Sequence, residues 1–235
     1  MKCVILAGGK GSRLSEYTKK IPKPMIEIGK KPIILHIIEY YLSYGIKDFI
    51  IASGYKHCVI KNYFSKKKTS YNVRVVNTGK ESLTGKRIKL LEKFFKKNEN
   101  FLMTYGDGLS DINLSKLIKF HLKNKKIFTL TAVHPPARFG ELTINKNSVK
   151  NFEEKPQLNR GWINGGFFVI NSLFFKILSK KNVMLEREPI KNLLKLKQLG
   201  AFRHEKFWYC MDNLRDKKIL ENLIKNKKAP WLKKK

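Results

Sequence analysis

Acidic residues are scarce in this chain. Its 235 residues carry 18 Asp and Glu against 50 Lys and Arg, a formal net charge of +32. Arginine is scarce too, with only eight, so the positive charge is nearly all lysine. Lysines in short runs such as Lys66-Lys67-Lys68, Lys96-Lys97 and Lys125-Lys126 read as solvated element ends. No basic run is interleaved with the aromatics that would stack bases, which argues against a nucleic-acid partner. The same charge favours encounters with small polyanions. There is no apolar run of the roughly 18–20 residues that a membrane span needs, and the short apolar start is broken by Gly8-Gly9-Lys10-Gly11, unlike a signal peptide. Only three cysteines occur (Cys3, Cys58 and Cys210), scattered and without metal-ligand spacing. They read as reduced core thiols of a cytoplasmic protein.

What is present is an ordinary globular composition, 42% hydrophobic and 11% aromatic, in a length suited to one domain. The chain is organised around its first fourteen residues. Val4 to Ala7 is a short apolar run, followed at once by Gly8, Gly9, Gly11, Ser12 and Arg13. That pattern is a buried strand ending in a tight loop. Glycines there let backbone N–H groups approach an anion, and Arg13 adds a planar cationic fork. The loop is read as a nucleotide-phosphate cradle; the alternative is a plain glycine turn after an edge strand. It is no Walker loop, because Gly11 is followed by Ser12-Arg13 rather than Lys-Ser/Thr, and it lacks the dinucleotide spacing. Downstream, Pro22 and Pro24 flank Lys23 and predict an extended, stiff segment that fixes one cation near the loop.

Strand and helix patterns alternate through the first half. Helices are expected over 32–44, 56–64, 85–97 and 114–122, and strands over 48–52, 72–76, 101–105 and 127–133. This predicts an α/β fold with a mostly parallel sheet flanked by helices. The second half is less regular, with strands near 141–144, 149–152, 167–170, 201–204 and 207–211, and helices over 172–178, 189–199 and 213–225.

Asp107 lies just past a predicted strand, between Gly106 and Gly108, at the edge where ligands collect in open α/β sheets. A carboxylate beside a phosphate loop suggests a divalent cation between them; a simple Asp-Gly turn is the alternative. Asp212 precedes a helix and could be only its N-cap, but paired with Asp107 it becomes a second metal ligand. Glu154 and Lys155 could meet sugar hydroxyls and a second phosphate, or form a charged turn. Asn164 with Gly165 and Gly166 could admit a ligand closely, or mark a bulge. No histidine of the five has metal spacing, and His36 reads as structural.

These residues resemble the sugar-phosphate nucleotidyltransferases. The matching stretches include Val4 to Leu14, Pro22 to Gly29, Thr104-Tyr105-Gly106-Asp107-Gly108 and Phe152 to Pro156. Arg138-Phe139-Gly140, Ile163 to Val169 and Phe207 to Asp216 are similar to the glucose-1-phosphate cytidylyltransferase branch. The resemblance implies a Rossmann-like nucleotide-diphospho-sugar transferase fold in one domain, with a nucleotide half over about 1–133 and a sugar-phosphate half over about 134–235. It implies that CTP phosphates and part of the base are held by Leu6, Ala7, Gly8, Gly9, Gly11, Ser12, Arg13 and Lys23. Ser82, Arg87 and Gly106 line the cytidine pocket, and Asp107 and Asp212 bind Mg²⁺. Glu154, Lys155, Asn164 and Gly165 meet the sugar 1-phosphate. Arg13, Lys23, Asp107 and Asp212 are the implied catalytic set, in a cytoplasmic homo-oligomer. The chain departs from the branch in a short Ser65 to Asn72 connection, where the branch carries a longer insertion, and in Asn77 and Asn213. The alternatives are the same transfer with UTP or dTTP or with another phosphorylated acceptor, and, from another class, a non-catalytic basic protein.

Overall fold

The computed structural model describes residues 1–136, 141–153 and 161–233. Its centre is a seven-stranded sheet built from β1 (Lys2–Ala7), β2 (Asp48–Ser53), β3 (Asn72–Asn77), β4 (Asn100–Tyr105), β5 (Phe128–Val133), β6 (Ile163–Asn171) and β7 (Leu199–His204). The spatial order is β7-β5-β6-β4-β1-β2-β3. Every pair is parallel except those of β6, which runs antiparallel to both β4 and β5. The expected mostly parallel α/β sheet is therefore present.

Why β1 is central follows from its composition. Cys3, Ile5 and Ala7 pack into one core layer, and Val4 and Leu6 into the other. A strand covered on both faces has no polar side, so it reads as a continuous apolar run. Helices α1 (Ile33–Leu42), α2 (His57–Ser65), α4 (Leu114–Asn124) and α6 (Leu214–Lys225) supply the first layer through residues such as Ile37, Ile60, Leu117 and Leu220. The second layer is capped by α3 (Thr84–Lys89) and α5 (Glu188–Lys195), through Ile88 and Leu193. No helix among the described residues is long and apolar enough to cross a membrane.

Four expectations need correction. The helix foreseen over 85–97 ends at Lys89, and Glu92–Phe94 is a separate 3₁₀ turn. Phe95 leaves the helical path for extended backbone and packs 4.3 Å from the Phe101 ring and 5.5 Å from Phe175, so aromatic packing overrides helical periodicity. The helix foreseen over 189–199 ends at Lys195, and Leu199 opens β7. The helix over 172–178 is the single turn Phe174–Ile177. Lys23 likewise starts a 3₁₀ turn, Lys23–Met25, after an extended Pro22, rather than lying in extended chain.

Candidate active site

The site lies where the sheet changes direction of growth. From β1 the chain builds outward through β2 and β3, while β4 pairs with the other side of β1. Connections leave in opposite directions there and open a crevice at the carboxyl ends. The glycine loop leaves β1 and Asp107 follows β4. Because β6 is reversed, its amino end comes to the same edge, with Ile163 opposite Val133 and Asn164 opposite Ala132.

A cavity of about 560 Å³ occupies this crevice. It is lined by Leu6, Ala7, Gly8, Gly9, Gly11, Ser12, Arg13, Lys23, Ser82, Arg87, Gly106, Asp107, Asn164 and Asp212. Residues spread over more than two hundred positions thus face one space. Gly165 does not line it: its carbonyl accepts the Trp208 indole N–H at 2.6 Å, and a Cβ there would stand 2.7 Å from Val133. Glu154, Lys155 and Arg138-Phe139-Gly140 lie outside the described residues.

The glycine loop is held rather than loose. Gly11 adopts φ 62°, ψ 38°, a left-handed conformation that glycine tolerates without strain. Its carbonyl accepts the Leu14 N–H at 3.0 Å and the Thr18 hydroxyl at 3.2 Å. The stretch continues into a 3₁₀ turn (Ser12–Leu14) and a short helix (Ser15–Thr18), so the loop opens into helical backbone.

At the cavity's centre the Lys23 ammonium donates to Asp107 Oδ2 at 2.6 Å and to Asp212 Oδ1 at 2.7 Å. Arg13 Nη1 donates to Asp212 Oδ2 at 2.9 Å. Burial opposes the Lys23 charge, but the attraction of Asp107 and hydrogen bonds to both carboxylates outweigh it and raise its pKa well above the ordinary lysine value. Burial alone would raise the Asp212 pKa; Lys23 and Arg13 overcome it and hold the group below the usual range. Oxygen atoms of Asp107 and Asp212 and the Cys210 sulfur lie within 4.8 Å of one another. Two carboxylates converging beside a glycine loop suit a hard divalent cation. The donor set fits the group, and the Lys23 ammonium supplies the countercharge between them.

Arg87 lines the cavity as implied, but its guanidinium is engaged by the protein's own acceptors. Its guanidinium is buried and donates to the carbonyls of Ser53 (3.0 Å), Gly79 (3.1 Å), Gly8 (3.1 Å) and Ser82 (2.6 Å), and to the Thr78 hydroxyl. It rivets the glycine loop to the 78–82 segment. A Cβ on Gly8 would stand 2.0 Å from Arg87 Nη1, so packing alone requires this glycine.

Several site residues carry no sequence signal strong enough to single them out. Tyr105, Trp208 and Cys210 line the cavity. Tyr105 precedes Asp107, and Cys210 precedes Asp212, by two positions; the period of a strand could have placed each beside its aspartate. Cys210 is thus half-buried at the acidic pair and Cys58 is exposed; only Cys3 matches the core-thiol expectation. Burial, then Glu186, raises the Tyr105 pKa, so its hydroxyl remains a donor. Glu186 lies in an irregular stretch with no motif around it.

Fold and site together define an α/β protein with a glycine-loop cavity at a switch point, beside a paired carboxylate centre. The chain belongs to the nucleotidyl transferase family, whose model matches residues 2–212. It is 45% identical to the glucose-1-phosphate cytidylyltransferase of Salmonella typhimurium over 98% of both chains. It is 29% identical to the mannose-1-phosphate guanyltransferase of Candida albicans, over 92% of this chain and 62% of that protein. The solved structure of the inositol-1-phosphate CTP transferase from T. maritima superposes with a TM-score of 0.72 at 16% identity, covering 97% of this chain and 96% of that one; at that identity it speaks to the fold.

Proposed function

We propose that this chain transfers the cytidylyl group of CTP to α-D-glucose 1-phosphate, releasing pyrophosphate and forming CDP-glucose. The observation that carries the reading is the 45% identity to the Salmonella enzyme over 98% of both chains. It is supported by the cavity that gathers the glycine loop, Lys23, Asp107 and Asp212.

The chemistry needs no general base, because a phosphate monoester with a second pKa of about 6 is already ionised near neutral pH. What it needs is alignment of two polyanions and neutralisation of charge at the α-phosphorus. A phosphate oxygen of the sugar attacks the α-phosphorus, and the bond from that phosphorus to the β-bridging oxygen breaks. The glycine-loop amides and Arg13 hold the departing pyrophosphate. Lys23 exchanges carboxylate contacts for α-phosphate oxygens and binds the charge that develops there. Ser82 lines the base side, with Arg87 fixing the loop beneath it. Asn164 orients the sugar phosphate, together with Glu154 and Lys155 on the strength of their motif. Asp107 and Asp212 are the residues that would hold Mg²⁺, which supplies Lewis-acid neutralisation of phosphate charge. The three free cysteines fit a reducing, cytoplasmic setting.

The test is pyrophosphate release over the four nucleoside triphosphates and a panel of sugar 1-phosphates, with the product identified by mass. The expected pair is CTP with glucose 1-phosphate. Faster turnover with UTP, dTTP or another acceptor would replace it.

A further inference from the structure

Glu186 sits on the connection before α5, exposed on its outer side, at the rim of the cavity. One carboxylate oxygen accepts the hydroxyl of Tyr105, and the other accepts the Thr84 hydroxyl at 2.9 Å. Tyr105 and Thr84 both line the cavity, one at the end of β4 and the other at the start of α3. Further contacts fasten this connection along the 81–85 segment. Asn182 accepts the Leu83 N–H at 2.8 Å, and its amide donates to the Glu81 carbonyl at 3.0 Å. The Val183 carbonyl accepts the Gly85 N–H at 3.0 Å. The Thr84 oxygen accepts the Leu185 N–H at 2.7 Å.

The direction of the hydrogens carries the argument. An ionised carboxylate only accepts, so both hydroxyl hydrogens point at Glu186. Tyr105 then turns its lone pairs toward Asn164, whose Nδ2 donates to it at 3.4 Å. That fixes the other end of the amide, Oδ1, which accepts the Gly166 N–H at 2.9 Å. Every donor from Gly166 through Asn164 and Tyr105, and from Leu185 through Thr84, thus runs toward one acceptor. The chain joins the nucleotide-side segment to the sugar-side strand.

We propose that Glu186 is a positioning residue: its carboxylate sets the hydroxyl direction of Tyr105 and through it the amide orientation of Asn164, and so sets affinity for the sugar phosphate. This rests on the cytidylyl-transfer reading above. Replacement by glutamine keeps the size but places an amide donor against one of the two hydroxyls, which reverses part of the chain.

The test measures KM and kcat for glucose 1-phosphate at saturating CTP in the wild-type chain, Glu186→Gln, Glu186→Ala, Tyr105→Phe and the Glu186→Ala/Tyr105→Phe double variant, with thermal melting of each. KM is expected to rise five- to twentyfold in each single variant with kcat within threefold, and the double variant to be no worse than the worse single one. Such non-additivity marks residues acting in one chain. Unchanged KM in Glu186→Gln with an intact melt overturns the proposal, as does full additivity. Glu186→Gln decides the matter if the alanine variants fail to fold. A wild-type chain inactive with CTP and glucose 1-phosphate would instead refute the cytidylyl-transfer reading.

Discussion

Lys23 and Asp107, 84 positions apart, meet with the ammonium 2.6 Å from Oδ2, and the same ammonium reaches Asp212 at 2.7 Å. The contact is made by a residue leaving one strand's loop system and a residue leaving the neighbouring strand. Replacing either should therefore leave the core intact while removing the charge balance at the cavity's centre. Lys23→Met and Asp107→Asn are expected to melt within a few degrees of the wild type and to lose turnover by two or more orders of magnitude, measured by pyrophosphate release. Near-normal rates in both would remove these residues from the mechanism.

The same geometry makes a separate forecast about cations. In the free chain the Lys23 ammonium competes with a divalent ion for both carboxylates. Chelation should abolish turnover and added Mg²⁺ restore it. Lys23→Met should bind Mn²⁺ more tightly than the wild type, read by electron paramagnetic resonance in the absence of nucleotide. Weaker Mn²⁺ binding in that variant would mean that Lys23 does not occupy the cation's place.

Arg87 gives a stability prediction. Its removal withdraws a donor from five acceptors, of which the Ser53 and Gly8 carbonyls keep the Thr78 and Tyr55 N–H groups, a loss on the order of 3 kcal/mol. In a chain of this size that lowers Tm by about 6–12 °C. Lysine cannot reproduce the planar fork, so Arg87→Lys should show most of the loss together with a raised KM for CTP. Gly8→Ala should do the same by pushing the guanidinium aside. A wild-type melt and CTP affinity in Arg87→Lys would contradict the rivet.

Two buried histidines set an acid limit. Burial lowers the His121 pKa from 6.5 to about 4, and burial also lowers that of His36. Each stays neutral when folded, while the unfolded chain takes up a proton below about pH 6.5. Stability contributed by this pair is complete above that pH and falls as pH drops toward 4, where folded His121 also protonates. The slope is of order 1 kcal/mol per pH unit for His121. Denaturant melts between pH 7.5 and 4.5 should show it, and His121→Gln should flatten the curve. An equally steep curve in that variant would place the acid sensitivity elsewhere.

Much of this architecture was legible in the amino-acid order, and for identifiable reasons. The β1 run is uniformly apolar because both faces are covered, and its glycines are bunched because a tight loop follows. Asp107 stands out because it sits between glycines at a strand end. What could not be read depends on partners distant in sequence. Nothing around Arg87 says that its fork meets the Gly8 and Ser53 carbonyls instead of a ligand. The amphipathic pattern over 85–97 is genuine, yet Phe95 is drawn out by Phe101 and Phe175. Glu186 gains its role only when β4 and α3 bring Tyr105 and Thr84 to either side of it.

The reversed strand β6 has one more consequence. The glycine loop leaves β1, Asp107 follows β4, and Asn164 is the second residue of β6, three adjacent strands. Neighbouring strands lie about 4.8 Å apart, so the sheet itself acts as a ruler, with the glycine loop and the Asn164 end of β6 two divisions apart, roughly 10 Å. Loops can change what lines either end of that interval. The interval itself can be altered only by adding or removing a strand.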